Sequence, residues 1–302
     1  MKFMMLYLIL IALYTIYQLI LNPRVSRLMA GSAATYGNFL TGGYNTVYGV
    51  MLLSLALLGV ITKTKAKSKY LPILVVFVVF IILSQYTTAF LLLMIGFIMI
   101  IFNKKKAWRI IFMFLAGACI IFVIIFPEIV SGYISYLAHL FPTGTFQRYR
   151  IQQLAELIVN FSNGNYGSTT TEGTIIRVDL YREMGKTIGN NFFFGVGNAD
   201  RTLIGSHATF LDVIAKFGIF CGGAYVFARL YLLRKISMMI PGIYSRYYKV
   251  IGAIYMALSL LNTTDDMMIS TVIFVAIPFI FLLNDKSENS RSYKTNNEGI
   301  IP

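Results

Sequence analysis

The stretch LPILVVFVVFIILSQYTTAFLLLMIGFIMIIF, residues 71–102, decides the fold, because 32 residues pass without a charged side chain. As one helix it would run about 48 Å, against a hydrocarbon core of roughly 30 Å. Lysines flank both ends, at Lys67 and Lys69 before it and at Lys104, Lys105 and Lys106 after it. A single crossing would strand one cluster outside, whereas cytoplasmic loops are the ones that collect Lys and Arg. A hairpin meets both constraints, with Ser84, Gln85, Tyr86, Thr87 and Thr88 as its polar outer apex.

The same arithmetic applies to residues 250–283, which lie between Lys249 and Lys286, with Asn262, Thr263, Thr264, Asp265 and Asp266 as the apex. Apolar runs at 3–21, 44–61, 108–126 and 208–233 read as single crossings. The run at 3–21 lacks a small-residue cleavage site before Asn22 and Pro23, so it reads as a retained helix rather than a removed signal peptide. The expectation is an all-α polytopic membrane protein of about eight transmembrane helices, two pairs of them short outward hairpins, in a bacterial plasma (inner) membrane with both termini cytoplasmic. Arg24 and Arg27 then fall in an outer loop.

Composition agrees. The chain has 302 residues, of which 57% are hydrophobic and 13% charged, where a soluble domain carries about 25% charged residues. Its mean hydropathy is +0.71. A soluble enzyme and a disordered chain are excluded. Cys119 and Cys221 both sit in apolar runs, which excludes a disulfide scaffold. The net charge of +14 is no sign of nucleic acid, since the bases gather between the runs, as at Lys63, Lys65, Lys67 and Lys69. By contrast, in residues 127–206 the bases Arg148, Arg150, Arg177, Arg182, Lys186 and Arg201 are balanced by Glu128, Glu156, Glu172, Asp179, Glu183 and Asp200. This neutral stretch is the expected large helical extracytoplasmic loop, because long loops translocate largely regardless of charge. The organisation expected is an N-terminal transmembrane bundle (1–126), the loop domain (127–207), C-terminal transmembrane helices (208–283) and a disordered cytoplasmic tail (284–302).

Within the loop, residues 146–161 and 173–189 read as two amphipathic helices, separated by the turn-rich SNGNYGSTTTEG at 162–173. The second has an apolar stripe of Ile176, Leu180, Met184 and Ile188, with Arg182 and Lys186 opposite and Arg177 inside the stripe. On the first, Arg150 lies inside the stripe while Arg148 and Glu156 point away. A guanidinium on an apolar face needs an anion, either a protein carboxylate or a phosphate. His207 stands where the loop meets the sixth expected crossing, the run at 208–233. An imidazole there can accept a proton from a hydroxyl at neutral pH, or serve as a plain helix cap. His139 reads as structural.

Residues 177–222 resemble the O-antigen polymerase and O-antigen ligase family of bacterial envelope glycosyltransferases. The resemblance rests on Arg177, then NNFFFGVGN (190–198) with its turn ending in Gly195, Val196 and Gly197. It continues in SHATFLDVIAKFGIFCG (206–222), with Ser206, His207, Leu211, Asp212, Gly218 and Gly222. Asn45, in TGGYNTVYGV, resembles the asparagine that begins an early helix of the family. The resemblance implies a C-type glycosyltransferase membrane fold and an undecaprenyl-pyrophosphate-linked oligosaccharide donor, attacked by an acceptor hydroxyl at the outer face without metal or cofactor. It implies polymerisation of repeat units into a capsular, O-antigen or exopolysaccharide chain. The pathway's flippase and chain-length regulator become partners, besides donor, acceptor and membrane lipids. Carried over by motif, His207 is the base and Arg177 the pyrophosphate ligand. The family often places an arginine in the first hairpin apex, where this chain has Thr87. Arg150, Arg24 or Arg27 would then substitute.

Other residues have plainer readings. Gly195 and Gly197 either bring backbone N–H groups to a phosphate or simply make a turn. Asp212 and Lys216 are spaced to pair, and Gly218 and Gly222 form a small face for helix packing. Asp265 and Asp266 are expected to meet an outer-loop arginine, and Arg229 to snorkel to the cytoplasmic boundary. Two rivals remain: a ligase passing the glycan to lipid A core or protein, and a non-enzymatic flippase of the same lipid-linked unit.

Overall fold

The computed structural model describes residues 2–21, 43–63, 67–84, 86–102, 125–140, 148, 151–152, 155–156, 158–159, 172–197 and 208–285, with the backbone alone described at 2–5, 67–68, 87 and 172–179. Among the described residues the architecture is all-helical, without strands. The helices are α1 (Lys2–Leu21), α2 (Tyr44–Ile61), α3 (Lys67–Ser84), α4 (Thr87–Ile101), α5 (Pro127–Ala138), α6 (Glu172–Asn190), α7 (Thr209–Met239), α8 (Gly242–Leu261) and α9, which starts at Met267–Thr271 and continues to Asp285. Three of them, α2, α7 and α9, are long and apolar enough to cross a membrane, while shorter apolar helices cover Leu6–Leu21, Lys69–Ser84 and Thr88–Ile101. Most of the expected run at 108–126, most of the first loop helix and the tail from residue 286 lie outside the described residues.

Both hairpin regions are two helices rather than one long one. α3 ends at Ser84 and α4 begins at Thr87. α8 ends at Leu261 and α9 begins at Met267, with Asp266 as its N-cap. By contacts the chain forms two compact units, Met1–Lys104 with Ala208–Val213 and Cys221–Pro302, and Lys105–His207 with Ile214–Phe220.

The first unit is built around α2. This helix is apolar on all sides, a pattern that requires neighbours on all sides, and α3, α4, α8 and α9 supply them. Its Val47, Val50, Met51, Leu52, Leu55 and Val60 are completely enclosed. Ser54 satisfies its hydroxyl by donating back to the Val50 carbonyl at 2.7 Å. α9 contains one π-helical turn, Val272–Ala276, and the Tyr248 hydroxyl donates to the Ile273 carbonyl there at 3.1 Å. Such a turn disturbs the regular ladder, and a buried tyrosine meets the exposed carbonyl. α1 packs on α3 and turns Leu6, Leu10, Leu13, Tyr17, Ile20 and Leu21 outward. α7 likewise exposes Phe227, Leu230, Tyr231, Met238 and Met239. Apolar surface of this extent is consistent with helices long and apolar enough to cross a membrane.

The two ends of this unit differ in chemistry. At one end the Tyr44 and Tyr86 rings meet at 4.5 Å, and Asn45 Nδ2 donates to Asp266 at 2.8 Å. The start of α2 and both hairpin breaks therefore share that end. At the other, Thr62 bonds Tyr247, and the Tyr70 hydroxyl donates to Asn284 Oδ1 at 3.1 Å. Lys63, Lys69, Arg246 and Lys249 belong to the second end by their places beside these residues.

Close approach of α4 to α2 depends on Gly96, where an added Cβ would come within 2.6 Å of the Leu55 side chain. A Gly96→Leu variant is expected to lose about 1–3 kcal/mol through overpacking, read as a lower thermal midpoint in detergent. Gly43→Ala, where nothing lies within 4 Å of the new carbon, should leave it unchanged.

Candidate functional site

α7 is not the single straight crossing expected for residues 208–233. Gly218 sits within it at φ 70°, ψ 179°, a conformation open essentially to glycine alone. The chain turns sharply there. Phe210 and Tyr225, fifteen residues apart, bring their rings to 6.4 Å in an edge contact, where a straight helix would hold their backbones about 22 Å apart. Gly218 is thus a hinge in the backbone rather than part of a small packing face. The reason lies in local chemistry. A helix that stops leaves carbonyls and amides without partners, and the turn after α6 supplies them. Val196 N–H donates to the Ala215 carbonyl at 3.0 Å, Gly197 N–H to the Lys216 carbonyl at 2.8 Å, and Ile219 N–H to the Phe192 carbonyl at 2.8 Å.

Gly195 and Gly197 adopt left-handed φ of 67° and 64° in that turn. Gly195 N–H donates to the Asn191 carbonyl at 2.8 Å, so both glycine amides are taken up inside the protein. A Cβ at Gly195 would meet the Lys216 carbonyl oxygen, and one at Gly218 would meet the Phe193 carbonyl oxygen. Two glycines from separate segments therefore make room for each other's backbone.

At the hairpin-break end of the first unit the polar groups are densely bonded. Ala208 is fully buried and its N–H donates to Asp212 Oδ2 at 3.0 Å. Thr209 N–H donates to the Asn262 carbonyl at 3.3 Å, while Thr209 Oγ1 accepts from Thr264 N–H at 2.6 Å. Ser259 and Thr264 share a hydroxyl bond of 2.7 Å. Asp266 accepts from Met268 N–H at 2.7 Å as well as from Asn45.

Arg229 is the ionisable group that the sequence reading misplaced. Its Nη2 lies 3.2 Å from Asp265 Oδ1 and donates to the Tyr225 hydroxyl at 2.9 Å; Nη1 donates to Ser270 at 3.3 Å. The guanidinium also lies over the rings of Tyr225 and Phe274, at 5.1 and 5.3 Å. It is turned into the protein toward the hairpin break, not out to the basic boundary. Among the described residues, Asp265 finds its arginine on α7. The spacing of Tyr225 and Arg229, four apart on one helix face, is the signal that could have shown this.

The structure places the other sequence-derived site residues unevenly. His207, Arg150, Arg24 and Arg27 lie outside the described residues. Arg177 falls within α6, whose backbone alone is described at that point. In the rest of α6, Met184 is buried while Arg182 and Lys186 are exposed, as the wheel requires, and Lys186 pairs with Glu183. Arg148 lies 2.9 Å from His139 Nδ1. No protein-family model matches the chain, and no curated protein matches it.

Two predictions follow from this geometry. Gly218→Ala and Gly195→Ala are each expected to cost about 3 kcal/mol or more, since backbone strain adds to a backbone clash, whereas Gly197→Ala, with open space around the new carbon, should cost only about 1 kcal/mol. Thermal unfolding in detergent would rank the three; equal losses would contradict the interlock. Asp266→Ala removes an N-cap and the Asn45 bond, for an expected loss of about 1–2 kcal/mol, measured in the same way.

Proposed function

We propose that the chain is an integral membrane glycosyltransferase of the O-antigen polymerase and ligase type, which polymerises undecaprenyl-pyrophosphate-linked repeat units at the outer face of the bacterial plasma membrane. The single observation that carries the reading is the position of Ala208 and Thr209. They bond at the hairpin-break end of their unit, away from Lys63, Lys69, Arg246 and Lys249. Bases gather on the cytoplasmic side, which supports an outer position for this end and for the loop expected to precede Ala208. The motif order from Arg177 to Gly222 supports the same reading, and so does the demand for glycine at positions 195 and 218. The proposed topology keeps eight crossings, both termini cytoplasmic and a large outer loop.

In the reaction, His207 accepts the proton of an acceptor hydroxyl as its oxygen bonds the donor's anomeric carbon. The bond from that carbon to the pyrophosphate oxygen breaks, and the leaving lipid pyrophosphate takes the electron pair. Arg177 donates two hydrogen bonds to phosphate oxygens, stabilising charge that grows at departure. Arg150, Arg24 and Arg27 are further anion ligands. Arg229, an ionisable group on a candidate span, is the observation that favours a flippase instead.

Gel analysis of surface glycan separates these readings. A deletion strain should carry single repeat units if the protein polymerises, free lipid-linked polymer if it ligates, and little surface glycan if it flips. Complementation with His207→Ala or Arg177→Ala should fail to restore long chains, a loss of 100-fold or more for the base being about what general base catalysis supplies. Full-length polymer from His207→Ala would overturn the proposal.

A further inference from the structure

The turn after α6 and the bend of α7 share an aromatic surface that the glycosyltransferase reading does not use. Phe192, Phe193, Phe194, Phe217 and Phe220 are 45%, 57%, 81%, 46% and 62% exposed. They are not scattered. Phe193 and Phe220 stack at 5.9 Å, Phe194 meets Phe220 at 6.3 Å, and Phe192 meets Phe193 edge-on at 5.3 Å. The main-chain bonds from Val196, Gly197 and Ile219 hold the turn against the bend, so these rings stand on a fixed frame rather than a loose loop.

Four phenylalanines joined in this way, with Phe217 exposed beside them in sequence, would be an aggregation hazard in a soluble protein if they faced water. Here the covalent context names what covers them. Phe220 lies in the first turn of the helical segment 219–239, about 31 Å long and so long enough to cross a hydrocarbon core. On that segment Phe220, Phe227 and Tyr231 recur at helical spacing and are all exposed, with Phe227 and Tyr231 stacked at 6.5 Å. Phe220, the last ring of the aromatic surface, thus stands in sequence where a candidate span with an exposed aromatic face begins. Lys216 lies between turn and helix, its Nζ 5.2 Å from the Phe217 ring. An amine at the edge of an aromatic patch has its apolar stem along the rings and its charge free to meet anionic headgroups.

We propose that residues 192–194, 217 and 220 form an aromatic wedge seated in the interfacial region of the bilayer. It fixes the depth of the α6–α7 turn against the lipid, with Lys216 at the headgroup level. The occupant is the membrane itself, and the inference stands on the candidate span alone, without glycosyl transfer.

The test uses the full chain in vesicles of phosphatidylethanolamine and phosphatidylglycerol. The single tryptophan, Trp108, is replaced in a Trp108→Phe background, and Phe194→Trp, Phe193→Trp and Phe227→Trp are compared. Phe227→Trp serves as the control within the span. Trp at 193 and 194 should emit blue-shifted light and lose most of it to lipids brominated near the headgroup, with little loss to aqueous iodide. Lys216→Glu should reduce that lipid quenching. Quenching by iodide rather than by brominated lipid would overturn the wedge, and so would protection from both, which would mean that protein covers the rings. Failure of Phe227→Trp to be quenched by lipid would overturn the span beneath it, an outcome that leaves the glycan assay of the enzyme reading to be judged separately.

Discussion

Backbone amides and carbonyls that leave a helix inside an apolar setting must find partners within the protein, and this constraint governs the bend at Gly218. The break frees the carbonyls of Ala215 and Lys216 and the amide of Ile219, and the turn at 192–197 answers all three. Buried backbone groups left unpaired are costly, so such an interruption persists where another segment supplies the missing bonds. The two segments are therefore obligate partners, each in a conformation that would be left unsatisfied without the other. Glycine is required on both sides for the same reason, since main chain approaches main chain with no space for a Cβ at Gly195 or Gly218.

Hairpin breaks were legible because length alone decides them. A 32-residue apolar run overshoots a membrane, and the polar residues near its middle mark where the chain turns; the structure places helix ends at Ser84 and Thr87. Of the two carboxylates at the second apex, Asp265 meets an arginine, whereas Asp266 caps α9 and bonds Asn45 instead. The choice of cation was not legible. Arg229 lies ten residues from the end of α7, and sequence order suggests a boundary residue, but the direction in which a side chain faces depends on which helix packs beside it. Its ring contacts with Tyr225 and Phe274 come from two elements, one of them distant in sequence.

Gly218 was misread for a related reason. A pair of glycines four apart fits a close helix crossing, and the periodicity on either side of Gly218 continues without a gap, so no local signal separates a packing glycine from a hinge. What decides between them is the supply of bonding partners from another segment, and that is a tertiary fact. The π-helical turn in α9 is hidden in the same way, because Val272–Ala276 is an ordinary apolar pentapeptide. On α6 the reverse holds. Burial of Met184 and exposure of Arg182 and Lys186 follow directly from the 3.6-residue period.

The two ends of the α2-centred unit carry the remaining step. Tyr44, Asn45, Tyr86, Thr209, Asn262, Thr264 and Asp266 converge by named contacts, while Thr62, Tyr70, Tyr247 and Asn284 converge at the other end beside the bases. Segments far apart in sequence thus meet at two polar ends, one holding Asp265 and Asp266 with Arg229 turned toward them, the other standing beside Lys63, Lys69, Arg246 and Lys249. A bilayer imposes such sorting because charge outside the hydrocarbon is cheap only at the two surfaces, and the positive-inside bias then distinguishes them. Under the proposed reading, the base and the guanidinium groups for a polyprenyl pyrophosphate would come from the stretch that precedes α7 in sequence, a helix whose first residues are bonded into this polar end.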